Sequence, residues 1–160
     1  MNKFLITLTF LFLANVAYAG APKVGDKAPD FSVTSLSGEK LALSSLKGKT
    51  VLIGMFHICV PCMNQALEFE KIRQQMKRDD LVIIGINTDG DSKKDVTDYL
   101  SKFPSPIQFT YYLDPETSIH KAYIQRDMPT VVVIDKEGVI RSRTSSINAD
   151  QLVKILNKVF

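Results

Sequence analysis

Cys59 and Cys62 are the only cysteines of the chain and stand two residues apart in GMFHICVPCMN, residues 54–64. A pair spaced this way offers three chemistries. It can cycle between dithiol and disulfide, with a thiolate as the attacking species. It can supply half of a four-ligand metal site. It can also act as a plain cross-link, although so short a ring removes little entropy from the unfolded chain. A structural zinc site is poorly supplied, because the chain adds only two histidines, His57 and His120, well separated in sequence. Cu(I) held by Cys59, Cys62, His57 and Met63 is the non-enzymatic alternative, since thiolate, thioether and imidazole suit that ion.

Disulfide exchange needs the two sulfurs to differ, and the flanking residues predict how. TVLIGMF, residues 50–56, is a nearly continuous apolar run of the kind that forms a strand buried on both faces. From Pro61 to Lys77, Met63, Ala66, Phe69, Ile72 and Met76 recur at helical spacing. Pro61 suits a first helical turn, where its missing N–H costs nothing, and Lys77 and Arg78 suit the other end. The dithiol therefore lies where a strand gives way to a helix. A thiol placed there meets unpaired backbone N–H groups and the positive end of the helix dipole, both of which favour thiolate. Cys59, at the helix mouth, is the expected nucleophile. Cys62, one turn in, is the expected buried, resolving thiol. His57 is the nearby group that titrates near neutrality; it could stabilise the thiolate, shuttle a proton, bind a metal, or merely end the strand. His120 reads as a surface or packing residue.

The remaining elements form a frame around this junction. APDFSVTSLSGEKLALSSLKGKT, residues 28–50, alternates around Ser37-Gly38 and predicts a hairpin. LVIIGIN is a second buried strand. Asp91 or Ser92 caps a helix running to about Lys102. FPSPIQFTYYLD leads into a short strand, and Thr117 to Tyr123 forms a short helix. TVVVID is a third apolar strand, turned by Lys136-Glu137-Gly138 into VIRSRT, whose Arg141 and Arg143 are expected to face solvent without partners. Ala149 to Val159 places Leu152, Ile155, Leu156 and Val159 on one helical face. The alternation of strand and helix predicts an α/β domain with a mixed sheet.

At 160 residues the chain is long enough for one domain with a core. Its 45% hydrophobic and 23% charged composition excludes wholesale disorder. A formal charge of +3, evenly spread, gives no reason to expect nucleic acid as a partner. The first 19 residues read as a signal peptide: Lys3, an apolar run from Phe4 to Val16, then Ala17-Tyr18-Ala19, with cleavage after Ala19. A single domain then spans 20–160. Export, to a periplasm or equivalent, would put the cysteines where a pair can oxidise and stay oxidised; membrane anchoring would follow only if the leader stayed uncleaved.

The sequence resembles the TlpA/ResA-like branch of the thioredoxin superfamily from about Gly25 to Phe160. The residues that carry the likeness are the APDF-led hairpin region, CVPC, MPTVVVIDKEGVI and the helical insertion after VIIGIN. The resemblance implies a thioredoxin fold, with a mixed central sheet flanked by helices, an N-terminal β-hairpin and a central helical insertion. It also implies thiol–disulfide exchange with protein substrates, usually reductive, fed by an upstream membrane electron donor and requiring no cofactor. By the same likeness, Pro129 is the family's cis-proline and the Met128 backbone pairs with a substrate strand. Three positions depart from the pattern. Ile58 replaces a Trp, Gln65 replaces a Glu that follows the second cysteine, and Ile53 stands where thioredoxins proper keep a buried acid. Gln65 can hydrogen-bond but cannot act as a base, so it is expected to modulate how Cys62 loses its proton. Peroxiredoxin-like relatives share the APDF opening, but GMFHIC lacks their Pro-x-x-x-Thr/Ser approach to the cysteine.

Overall fold

The computed structural model describes residues 20–160; the leader expected over residues 1–19 lies outside them. Strands β1 (Ser32–Ser35) and β2 (Lys40–Ala42) form the N-terminal hairpin, followed by a 3₁₀ turn over Leu43–Leu46. Then come β3 (Thr50–Phe56), α1 (Val60–Gln75), β4 (Leu81–Asn87), α2 (Lys93–Leu100), β5 (Thr110–Leu113), α3 (Ser118–Ala122), β6 (Thr130–Ile134), β7 (Ile140–Thr144) and α4 (Ala149–Val159). The strands make one seven-stranded mixed sheet in the order β2-β1-β5-β4-β3-β6-β7. Among the described residues, no helix is long and apolar enough to cross a membrane.

β3 lies inside the sheet and every one of its residues is buried, the burial that its unbroken apolar run requires. It runs parallel to β4, from Thr50↔Leu81 to Phe56↔Asn87, and antiparallel to β6, with Met55 opposite Thr130. One face carries Phe31, Leu43, Ile53, Met55, Ile119 and Tyr123. The other carries Leu52, Phe56, Cys62, Phe69, Val96 and Leu152, under α1, α2 and α4. Gly54 and Gly85 face each other across β3 and β4. A Cβ on Gly54 would fall 2.1 Å from the Phe56 ring, so close packing requires glycine there.

The central insertion consists of α2 and β5. β5 pairs in parallel with β4 and antiparallel with β1, so this strand joins the N-terminal hairpin to the rest of the sheet. Ser92 caps α2 by accepting from Asp95 N–H at 3.2 Å.

Two details differ from the sequence expectation. Met63 and Met76 are half-buried, whereas Gln65 and Glu70 are buried beside Ala66, Phe69 and Ile72. A helix covered by neighbours on more than one side must bury polar positions that a single apolar stripe does not predict. Arg141 and Arg143 are also not free. Arg141 pairs with Asp135, and Arg143 donates to the carbonyls of Pro22, Tyr123 and Ile124. Those carbonyls belong to distant segments that only folding brings to β7.

Candidate active site

Cys59 is the N-cap of α1, with extended backbone (φ −152°, ψ 157°). Its Sγ accepts the Cys62 backbone N–H at 3.2 Å, using one of the donors that a helix start leaves unpaired. Its carbonyl accepts both the Met63 N–H at 3.0 Å and the Tyr99 hydroxyl of α2 at 2.7 Å. Val60 and Pro61 fill the first two helical positions, where proline is tolerated. Cys62 follows in the same turn, 1% exposed. Its Sγ accepts the His57 backbone N–H at 3.3 Å.

Both cysteines are free thiols, and they differ as exchange requires. Cys59 is half-exposed. Burial pushes the Cys62 thiol up to about 12; the Cys59 side-chain contact adds to this and the His57 N–H opposes it. Ile58, Val60 and Met128 are large apolar side chains left exposed, Val60 at 66%. The Met55↔Thr130 register places the residues just before β6 beside those that follow β3. Met128-Pro129, joined by a cis peptide bond, therefore lies at the dithiol end of the sheet. The Met128 N–H and carbonyl have no hydrogen-bond partner among the described residues.

The His57 ring meets Asp89 and His120. Its Nδ1 lies 3.4 Å from Asp89 Oδ2, and its ring centre lies 5.9 Å from that of His120 on α3. Burial lowers its pKa below the ordinary imidazole value, and Asp89 partly offsets the shift. His57 Nε2 and His120 Nδ1 are buried without hydrogen-bond partners among the described residues. The structure thus brings His120 to the edge of the site, 63 residues from His57, with no local sequence signal to announce it.

Gln65 is 3% exposed and is committed elsewhere. Its Nε2 donates to the Ile147 carbonyl and its Oε1 accepts the Ile147 N–H, each at 2.8 Å. Ile53 packs in the core on the opposite face from Cys62. Among the described residues, no three His, Cys, Asp or Glu side chains form a group that could hold a metal ion, and the contact of His57 with Cys62 is made by its main chain. Tyr99 and Asp89 are contacts the sequence did not reveal, because each comes from an element distant along the chain.

The sequence profile of the AhpC/TSA family matches residues 24–143. The chain is 32% identical over 120 residues to the thioredoxin-like protein YneN of Bacillus subtilis, covering 73% of this chain and 68% of that one. It is 31% identical over 142 residues to the thiol-disulfide oxidoreductase ResA of Bacillus thuringiensis, covering 86% and 79%. Among solved structures, the thioredoxin domain of a thiol-disulfide oxidoreductase from Bacteroides vulgatus superposes with a TM-score of 0.74 at 22% identity, covering 86% of this chain and 99% of that one. A secreted disulfide oxidoreductase of Mycobacterium tuberculosis gives 0.68 at 20% identity, with coverage of 80% and 95%. Both share the fold.

Proposed function

From a chain that belongs to the AhpC/TSA family we infer a thiol-disulfide oxidoreductase of thioredoxin fold, whose Cys59 and Cys62 exchange disulfides with protein substrates. The observation that carries this reading is the asymmetry of the pair: one half-exposed sulfur at a helix N-cap and one buried sulfur a turn behind it. Cys59 thiolate attacks a substrate disulfide, forming a mixed disulfide and releasing one substrate thiolate. Cys62 then gives up its proton to the departing side and attacks Cys59 Sγ. The second substrate thiolate leaves, and the protein is left as the Cys59–Cys62 disulfide, two electrons having passed to the substrate.

Ile58, Val60 and Met128 offer an apolar surface to the polypeptide flanking the target disulfide, and the unpaired Met128 backbone offers it a strand edge. The reductive direction is part of the same reading, as the family resemblance implies, and the reduction potential decides it. Export belongs to the same reading, on the strength of Lys3, the apolar run and Ala17-Tyr18-Ala19. So do an upstream membrane donor and substrates such as apocytochrome or envelope protein thiols, which the family resemblance implies.

The test is reduction of a protein disulfide by wild type, Cys59→Ser and Cys62→Ser. Cys59→Ser should lose exchange, and Cys62→Ser should accumulate the mixed disulfide. Full activity in Cys59→Ser would refute the assignment. A reduction potential near about −270 mV supports a reductase, and one near about −120 mV an oxidant. For export, the cell-envelope form should begin at Gly20.

A further inference from the structure

The peptide that presents Met128 needs something to fix its height against the dithiol. The β3–β6 ladder begins only at Thr130, so Asp127, Met128 and Pro129 lie beyond its last rung. One buried side chain bridges that gap. Gln125, 6% exposed, donates through Nε2 to the Asp127 carbonyl at 3.2 Å and to the Met55 carbonyl at 3.3 Å. Its Oε1 accepts the Thr88 hydroxyl at 2.6 Å. Thr88 in turn donates its backbone N–H to the Phe56 carbonyl at 3.0 Å. A single amide therefore ties together the end of β3, which delivers Cys59, the residue after β4, and the peptide that carries Met128.

The backbone is bent to aim this amide inward. Ile124, directly before Gln125, has φ +46°, a left-handed conformation that is an outlier for a β-branched residue. Arg143 holds it there by donating through Nη2 to the carbonyls of Tyr123 at 2.6 Å and Ile124 at 3.3 Å. Thr130 Oγ1 makes a second bond to the Asp127 carbonyl at 2.6 Å. The carbonyl before Met128 is thus held from two sides, while the Met128 backbone itself has no partner among the described residues.

We propose that Gln125, set by Thr88, is a positioning residue for the substrate-docking peptide: it fixes the Met128 backbone relative to Cys59 and so governs how tightly a polypeptide disulfide docks, without touching the sulfurs. The inference rests on the proposed exchange at Cys59 and on docking along Met128. A small disulfide, which needs no strand edge, should be indifferent to the clamp.

The experiment measures steady-state exchange with two substrates, insulin and glutathione disulfide, for wild type, Gln125→Leu, Thr88→Val and Thr88→Ser. Gln125→Leu should raise KM for insulin by about five- to tenfold with kcat changed less than about twofold. Glutathione disulfide turnover should stay within about twofold of wild type. Thr88→Val should move in the same direction by a smaller factor, and Thr88→Ser, which keeps the hydroxyl, should restore the wild-type KM. If both KM values are unchanged in Gln125→Leu, or if both substrates lose rate equally in the folded variants, the positioning role is wrong. If wild type exchanges neither substrate, the failure lies with the proposed function instead. Should Gln125→Leu not fold, the Thr88 pair carries the same contrast.

Discussion

In the C-terminal half of α1, the buried carboxylate is paired. Glu70, 5% exposed, accepts Arg73 Nη2 at 2.7 Å, Gln74 Nε2 at 3.3 Å and the Gln108 backbone N–H at 2.9 Å. Just beyond the helix, Arg78 grips Asp80 with two bonds, Lys136 joins at 2.8 Å, and the Arg78 guanidinium lies 3.9 Å from the centre of the Phe160 ring. At the N-terminus of the same helix, about 24 Å away, the pattern reverses. Ile58, Val60 and Met128 are apolar and exposed, two histidine nitrogens are buried without partners among the described residues, and Cys62 is a buried thiol with one backbone donor. One end satisfies its groups and anchors the helix. The other leaves sulfur and backbone available, at a cost in stability that the anchored end can offset.

That contrast can be tested directly. The largest expected effect is in thiol reactivity. At neutral pH, iodoacetamide should modify Cys59 at least about 100-fold faster than Cys62, because the latter is buried and its thiol is held far above neutrality; peptide mapping over time reads the ratio. Equal rates would remove the asymmetry on which the mechanism depends.

At the anchored end, Glu70→Ala should cost about 2–3 kcal/mol in urea unfolding, since it leaves the Gln108 N–H and Arg73 without their acceptor. Exchange per folded molecule should be unchanged. The Glu70 pKa is lowered in the folded state, its bonds to Arg73 and Gln108 outweighing the opposing effect of burial. Its contribution is therefore present above the ordinary glutamate range and is lost as pH falls through the folded value. The variant should lack that part of the acid dependence.

Gln65→Leu gives a smaller effect, about 1–2 kcal/mol, by unpairing the Ile147 N–H and carbonyl that join α1 to the start of α4. Alkylation of Cys59 should not change. A large change would mean that Gln65 acts on the sulfurs rather than on the helix junction.

The smallest effect belongs to His57. Its folded-state pKa is lowered, chiefly by burial, with His120 adding to the shift and Asp89 and Asp91 opposing it. Folding thus favours neutral imidazole, and stability is fully present above the unfolded value of about 6.5 and declines as pH falls below it. His57→Gln should flatten the unfolding profile across that window. An unchanged profile would show that the ring is not held neutral by its surroundings.

Much of the frame could be read from the chain. TVLIGMF is a buried strand, LVIIGIN is a strand buried from Ile84 onward and half-buried before it, and the last helix begins and ends where its apolar face does, because strong periodicity and long apolar runs leave few alternatives. A cap at Asp91 or Ser92 is readable because capping is local chemistry, and Ser92 fills it. Gln65, Arg143 and His120 were not readable in the same way. Each takes its partners from segments 19 to 121 residues away or packs against a ring on another element, and no short-range pattern encodes such a meeting.

For the dithiol, spacing and neighbours alone determined that two thiols would stand at a strand-to-helix junction, because apolar runs, helical period and proline position act within a few residues. Tertiary structure decided what surrounds them. It buried one sulfur and left the other half-open, turned His57 toward Asp89 and His120, tied Gln65 to Ile147, and set Met128 at the dithiol's end of the sheet with Gln125 behind it. Those outcomes depend on which distant carbonyls, rings and carboxylates the sheet order brings within hydrogen-bonding range, and that is fixed only when the whole sheet closes.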